Sequence, residues 1–174
     1  MRYAFYLDLE RCVGCYACAV ACMDQNDLEI TAEPTAWRQV FPVESSPKEE
    51  AGSEARPKVR YVSLACLHCE DAPCLLACPT GAITREPATR AVTVNEDLCI
   101  GCHSCSIACP FGVPRFGHTG VMQKCDLCTV RLEHGLEPAC VRACPTGALQ
   151  CGNPNQLALE VEKKAARRYA AAGS

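Results

Sequence analysis

Cys12, Cys15, Cys18 and Cys22 stand at C-x2-C-x2-C-x3-C spacing, and Cys99, Cys102, Cys105 and Cys109 repeat it with Pro110 behind the last. Between them lie Cys66, Cys69, Cys74 and Cys78, where residues 70–73 lengthen one gap to four before a closing C-x3-C and Pro79. Cys125 and Cys128 are followed by eleven residues, then by Cys140 and Cys144 with Pro145 behind them. A thiolate is a soft, anionic ligand, so four gathered in one short run bind metal. Sixteen of the seventeen cysteines belong to such runs, and Cys151 alone stands outside them.

Seventeen cysteines in 174 residues leave three readings: a disulfide scaffold, structural zinc or iron–sulfur clusters. A disulfide scaffold belongs to oxidising compartments. The opening Met1-Arg2-Tyr3-Ala4-Phe5 leads into folded-looking sequence with no basic stretch followed by an apolar one. A reducing, cytoplasmic location is therefore expected. Structural zinc usually takes two C-x2-C pairs, or a pair plus histidines, around one tetrahedral ion. The runs here follow the bacterial ferredoxin pattern instead. Three thiolates two residues apart reach three corners of an iron–sulfur cube from one tight loop, and the fourth corner lies beyond that loop. In two-cluster ferredoxins the fourth cysteine, followed by proline, ligates the neighbouring cluster. Proline at that point ends a short helix and turns the chain away. Four runs thus predict four [4Fe–4S] clusters.

The flanks of the runs carry an internal duplication. Arg11-Cys12-Val13-Gly14-Cys15 is echoed by Leu98-Cys99-Ile100-Gly101-Cys102, and Cys78-Pro79-Thr80-Gly81-Ala82 by Cys144-Pro145-Thr146-Gly147-Ala148. The second and third runs are joined by a Pro-Thr-Gly turn, a strand over 82–84, a turn near Pro87 and a strand over 91–94. That is the layout of one complete two-cluster ferredoxin, which leaves the first and fourth runs to pair around it. The expected fold class is α+β: two tandem ferredoxin-like modules, with small β-hairpins and short helices packed around clusters, plus a C-terminal helix. The inner module spans 61–113, the outer one 1–60 with 114–152, and a helix and tail fill 153–174. On this reading one cluster takes Cys66, Cys69, Cys74 and Cys109, and its neighbour takes Cys99, Cys102, Cys105 and Cys78. The outer pair takes Cys12, Cys15, Cys18 and Cys144 for one cluster, and Cys125, Cys128, Cys140 and Cys22 for the other.

The remaining elements must position these loops. Residues 31–58 carry four prolines and an acidic run, and read as a short strand followed by an exposed loop. Residues 60–64 resume as a strand, and Trp37 is expected to pack against the adjacent module as buried area. Residues 148–151 form a last strand, and a helix runs over about 156–170. On that helix Leu157, Val161, Ala165 and Tyr169 share one face. Lys163, Lys164, Arg167 and Arg168 form a basic patch that reads as a solvated face, with docking to a partner or to a second copy as the alternative. Cys151 is expected to be a buried small apolar residue rather than a reactive thiol. Gly14 and Gly101 are expected where backbone comes close to a cluster and donates N–H groups to it. His68 and His103, inside the cysteine loops, either hydrogen-bond a sulfide or face solvent.

No G-x-G-x-x-G, Walker loop, H-E-x-x-H or nucleophile elbow is present, so no flavin, nucleotide or hydrolytic site is read from the chain. A net charge of −3 without a lysine or arginine block argues against nucleic acid as a partner. No apolar run reaches the roughly 18 residues of a membrane span.

The four-run order, Cys66-Leu67-His68-Cys69 with Pro73 before Cys74, and the split run from Cys125 to Cys144 carry a family resemblance. Over about residues 3–152 the chain resembles the four-cluster electron-transfer subunits of the dimethyl sulfoxide reductase and polysulfide reductase type. The resemblance implies two ferredoxin-like modules, with the first run paired to the fourth. Some members hold a [3Fe–4S] cluster where tryptophan replaces a cysteine of the third run; here Cys102 stands in place, which implies four [4Fe–4S] clusters. It further implies a non-catalytic wire between a molybdenum- or tungsten-pterin subunit and another redox partner. The short length is similar to the ferredoxin-like subunits found with formate dehydrogenase, carbon monoxide dehydrogenase and tungsten aldehyde oxidoreductase. A free-standing polyferredoxin shuttling electrons to hydrogenase or carbon monoxide dehydrogenase, and a structural zinc-binding adaptor, are the alternatives.

Overall fold

The computed structural model describes residues 2–28, 36–45 and 58–172. The exposed loop expected after the strand in 31–58 lies largely outside the described residues. Among the described residues the α-helices and strands follow in this order: β1 (Ala4–Leu7), α1 (Ala17–Gln25), β2 (Gln39–Ser45), β3 (Lys58–Leu64), α2 (Pro73–Leu76), β4 (Ile83–Arg85), β5 (Val92–Val94), α3 (Ser104–Ala108), β6 (Arg115–Phe116), β7 (Met122–Gln123), α4 (Thr129–Glu133), α5 (Ala139–Arg142), β8 (Leu149–Gly152) and α6 (Pro154–Ala172).

The strands form four separate antiparallel pairs: β1 with β8, β2 with β3, β4 with β5, and β6 with β7. In β4–β5, Ile83 faces Val94 and Arg85 faces Val92, which is the hairpin expected between the second and third runs. In β2–β3 the register runs from Gln39 opposite Leu64 to Ser45 opposite Lys58, longer than the short strand expected there. Pro42 is tolerated inside β2 because each strand of a two-stranded pair is an edge, and an edge strand can spare an N–H. Pairing of Phe5 with Cys151 ties the N-terminal strand to the far end of the cysteine region.

Helices α2, α3 and α5 are four or five residues long, too short to persist alone, so packing must hold them. Helix α1 packs on α5, and α2 packs on α3. The first cysteine run thereby meets the fourth, and the second meets the third. The core is split into three small groups, and each mixes cysteines from two runs: Cys74 with Cys105, Cys18 with Cys140, and Cys66 with Cys125. Trp37 is half-buried against the third of these groups, as expected of it.

Helix α6 lies against β1 and β8. Its expected apolar face is only half covered: Leu157 and Ala165 are half-buried, whereas Val161 is exposed and Tyr169 is 83% exposed. Charge does the anchoring. Lys164 pairs with Asp8 and, at 2.9 Å, with Glu10, and Arg168 also pairs with Glu10. Lys163 pairs with Glu160 at 2.7 Å inside the helix, so three of its four basic residues are engaged within the chain. Burial resists ionisation of the Asp8 carboxyl, but Lys164 and the Glu10 backbone N–H outweigh it and hold its pKa below the ordinary value. A depressed carboxylate pKa stabilises the docked helix above pH 3.8, and that contribution fades as pH falls through the lowered value. An Asp8→Asn variant should therefore show several-fold faster amide exchange across α6 at neutral pH, with β4–β5 unchanged. Equal exchange in both proteins would remove Asp8 as the anchor.

Candidate iron–sulfur sites

Eight of the sixteen thiols line two hollows. Cys12, Cys15, Cys18 and Cys144 line one hollow, with Gly14 and Leu149 among its walls. Cys78, Cys99, Cys102 and Cys105 line another, walled by Ile83 and Met122 among others. In both hollows the fourth thiol comes from a different run than the first three. The remaining eight thiols of the runs bear on one another electrostatically. Burial pushes the Cys22 thiol up to about 12, and the neighbouring Cys140 and Cys128 add to it. Burial likewise raises Cys125, with Cys22 and Cys66 among the groups that bear on it. Burial raises Cys74 as well, and Cys66 and Cys109 are neighbours that reinforce the rise. Cys22 thus neighbours Cys125, Cys128 and Cys140, Cys109 neighbours Cys66 and Cys74, and Cys66 also neighbours Cys125. Among the described residues no three Cys, His, Asp or Glu side chains converge as for a single metal ion.

One backbone device recurs in all four loops. The residue two places after the first cysteine is left-handed: Gly14 at φ +70°, His68 at +48°, Gly101 at +65° and Leu127 at +68°. Such a residue turns successive N–H groups toward one side and makes an anion-binding concavity. The His68 N–H lies 3.5 Å from the Cys66 sulfur, and the Leu127 N–H lies 3.4 Å from that of Cys125. Further donors arrive from distant strands, with the N–H of Met122 3.4 Å from Cys99 and that of Leu149 3.5 Å from Cys144. Glycine carries the left-handed turn at two loops without strain.

At Gly101 a side chain is also excluded sterically, since a Cβ would stand 2.6 Å from the Gly120 carbonyl oxygen. Backbone cannot swing aside as a side chain can. Gly101→Ala should cost at least about 1–2 kcal/mol from the left-handed backbone alone, lowering both the melting temperature and the iron content. Gly117→Ala, which meets nothing within 4 Å, is the matched control. Equal behaviour of the two variants would refute the steric account.

Known proteins share these loops. Residues 57–154 match a domain family described as "4Fe-4S dicluster domain", and residues 11–82 match a second of the same description. The chain belongs to the 4Fe-4S dicluster family. It is 39% identical over 159 residues to a subunit of the anaerobic dimethyl sulfoxide reductase of Escherichia coli (strain K12), covering 90% of this protein and 76% of that subunit. It is 40% identical over 176 residues to "Protein NrfC" of the same organism, covering 97% of this protein and 75% of that one. This dicluster chain is an iron–sulfur electron-transfer protein. Among the described residues, no helix is long and apolar enough to cross a membrane.

The duplicated C-P-T-G-A segments acquire a role in this light. Burial disfavours ionisation of Cys78, but the Thr80 hydroxyl, 3.6 Å away, and the N–H groups of Ile83, Thr80 and Ala82 outweigh it and lower the thiol pKa. Cys144 repeats the arrangement: burial again opposes, and the N–H of Leu149 and the Thr146 hydroxyl at 3.8 Å prevail. Ser104, 3.5 Å from the Cys102 sulfur, lowers that thiol too. Each device favours the thiolate that a metal ligand must be.

The two loop histidines part ways. His68 is buried, and its Nδ1 accepts the Val92 N–H at 3.0 Å, which fixes the proton on Nε2. Burial and then the cations Lys124, Arg38 and Arg85 push its pKa to about 3, so the ring is neutral. His103 is exposed and lies against the Phe116 ring, with centroids 3.8 Å apart. Cys151 is half-buried, and burial, then the nearby Cys140, push its thiol to about 12, which leaves it a poor nucleophile. Sequence reasoning missed Arg38 and Lys124, which are 2% and 4% exposed. An isolated basic residue carries no sequence signal of burial, although Lys124 does directly precede Cys125.

Proposed function

We propose that this chain is the electron-transfer subunit of an oxidoreductase complex. It relays electrons through four [4Fe–4S] clusters between a molybdenum- or tungsten-pterin catalytic subunit and a further redox partner. The ligand sets are Cys12, Cys15, Cys18 and Cys144; Cys125, Cys128, Cys140 and Cys22; Cys66, Cys69, Cys74 and Cys109; and Cys99, Cys102, Cys105 and Cys78. The division into an inner module over 61–113 and an outer one over 1–60 with 114–152 goes with these sets.

The observation that carries the reading is the crossing of the fourth thiol. Cys144 sits in the hollow of the first run, and Cys78 in that of the third. A two-cluster ferredoxin needs that exchange and a one-ion zinc site does not. The donors present suit the group as well, because backbone N–H and hydroxyl groups aimed at sulfur stabilise anionic thiolate. The bound clusters would supply one-electron chemistry, while the protein holds them, orients them and limits water. Cys15 and Cys102 are the exposed thiols of the sixteen and belong to different modules, so each module offers an edge to a partner. The likeness to a dimethyl sulfoxide reductase subunit supports a catalytic partner of the pterin-containing kind. Cysteines committed to clusters rather than to disulfides suit a reducing, cytoplasmic setting.

Affinity purification from the native host under anaerobic conditions tests the proposal. About sixteen irons per chain and a stoichiometric pterin-containing subunit are expected. A monodisperse chain that reduces many acceptors would replace the wire by a free polyferredoxin. Zinc without iron would end both.

A further inference from the structure

Arg38 is enclosed almost completely, yet among the described residues no carboxylate pairs with it. An isolated buried cation is costly, and such a group persists only where opposite charge and hydrogen bonds compensate it. Its surroundings are thiols. One guanidinium nitrogen donates to Ser63 Oγ at 3.1 Å, and that hydroxyl lies 3.3 Å from the Cys18 sulfur. The charge of Arg38 also bears on Cys140, which shares a small core group with Cys18. The Phe5 ring backs the group, 4.8 Å from the guanidinium carbon, and fixes its plane. Its Nε finds no partner among protein atoms. Cys18 and Cys140 lie in one small core group but belong to different ligand sets.

We propose that Arg38 is a potential-setting bridge: one permanently charged side chain, linked to Cys18 of one outer cluster through Ser63 and set beside Cys140 of the other, that makes both easier to reduce. The inference rests on the ligand sets given under the proposed function. A cluster held by four thiolates is anionic, and each electron it accepts adds negative charge. A fixed cation close to its ligands favours that reduced state, all the more in a site from which water is excluded. Arginine suits the place because its planar fork serves two partners at once and it does not lose its proton. Placed between the two clusters, it also moderates the repulsion between them when both are reduced. Lys124 is a separate case. Its ammonium is held by the Val92 and Cys125 carbonyls, and its charge bears on Cys66 and Cys74 of the inner module.

The test is a potentiometric titration of the cluster-loaded full chain followed by electron paramagnetic resonance. In Arg38→Met, two of the four potentials should fall, each by about a tenfold change in the reduced-to-oxidised ratio, 59 mV for one electron. Arg38→Lys should recover most of that shift. Ser63→Ala should lower one potential only, that of the Cys18 cluster. Four unchanged potentials in a fully loaded Arg38→Met protein, or four equal shifts, overturn the proposal. If Arg38→Met loses iron, Ser63→Ala decides: a single shifted cluster supports the bridge, and no shift at full iron content refutes it. A wild-type chain without [4Fe–4S] clusters would instead sink the functional reading beneath it.

Discussion

In a Cys78→Ala variant we expect the resonance lost from the reduced protein to be the one that Cys102→Ala also erases, and not the one that Cys69→Ala erases. Cys78 closes the second run in sequence but lines the hollow of the third in space. The cause is local. Helix α2 is a single turn from Pro73 to Leu76, and Pro79 forbids its continuation just after Cys78. The contact of α2 with α3 then sets that end of α2 beside the third run. The Thr80 hydroxyl and neighbouring N–H groups favour the Cys78 thiolate there, which is spent only if a metal accepts it. Total iron should drop below the about sixteen of four intact clusters, while the resonance tied to Cys69 keeps its intensity. Cys144→Ala should act in the same way on the site of Cys15, because Cys144 lines that hollow. A variant pair in which Cys78→Ala and Cys69→Ala abolish one common signal would mean that each run keeps its own fourth ligand. The ligand sets would then have to be redrawn.

Much of this architecture is legible in the sequence because cysteine spacing is a covalent constraint. The run spacing, the closing prolines and the repeated C-P-T-G-A segments predict the meeting of α1 with α5 and of α2 with α3. The hairpin at Ile83–Arg85 and Val92–Val94 is readable for the same reason, since it is bounded by turn residues on both sides. What escapes depends on tertiary contact. Strands β6 and β7 have two residues each, too few for any periodicity to register. The β1 strand finds its partner beyond the last cysteine run, and nothing local names that partner. Glycine marks the left-handed turn in two loops, but His68 and Leu127 adopt it in the other two without a sequence cue. The loop histidines can be buried donors or solvent-facing spacers as far as spacing goes, and neighbours decide: β5 covers His68, while His103 stays outside. Buried Arg38 and Lys124 are unreadable because basic residues are ordinarily exposed. Hydrogen bonds offset their burial, from Arg38 to the Ser63 hydroxyl and from Lys124 to the Val92 and Cys125 carbonyls.

Removal of iron by an anaerobic chelator should unfold the chain rather than leave an empty scaffold. Cysteines make up a large part of the described core, and each of the three apolar groups is completed by thiols of two different runs. Most helices and strands are shorter than two turns or five residues, and elements so short do not persist in isolation. A chain of this kind depends on its metal much as small metal-nucleated domains do, where binding free energy is folding free energy. The thiols push in the same direction. Cys22 is raised to about 12 by burial first and by Cys140 and Cys128 after it, so the metal-free fold favours its protonated form. That contribution is fully present below the ordinary value of 9.0 and is lost as pH rises toward 12, so alkali cannot rescue the stripped fold. Loading must displace those protons, so reconstitution with iron and sulfide should proceed further at pH 8 than at pH 6. Far-ultraviolet dichroism and the visible cluster absorption should disappear together in one transition during chelation. Native dichroism and a cooperative melt surviving complete iron loss would show that the polypeptide holds its fold unaided, and would reduce the clusters from structural keystones to passengers.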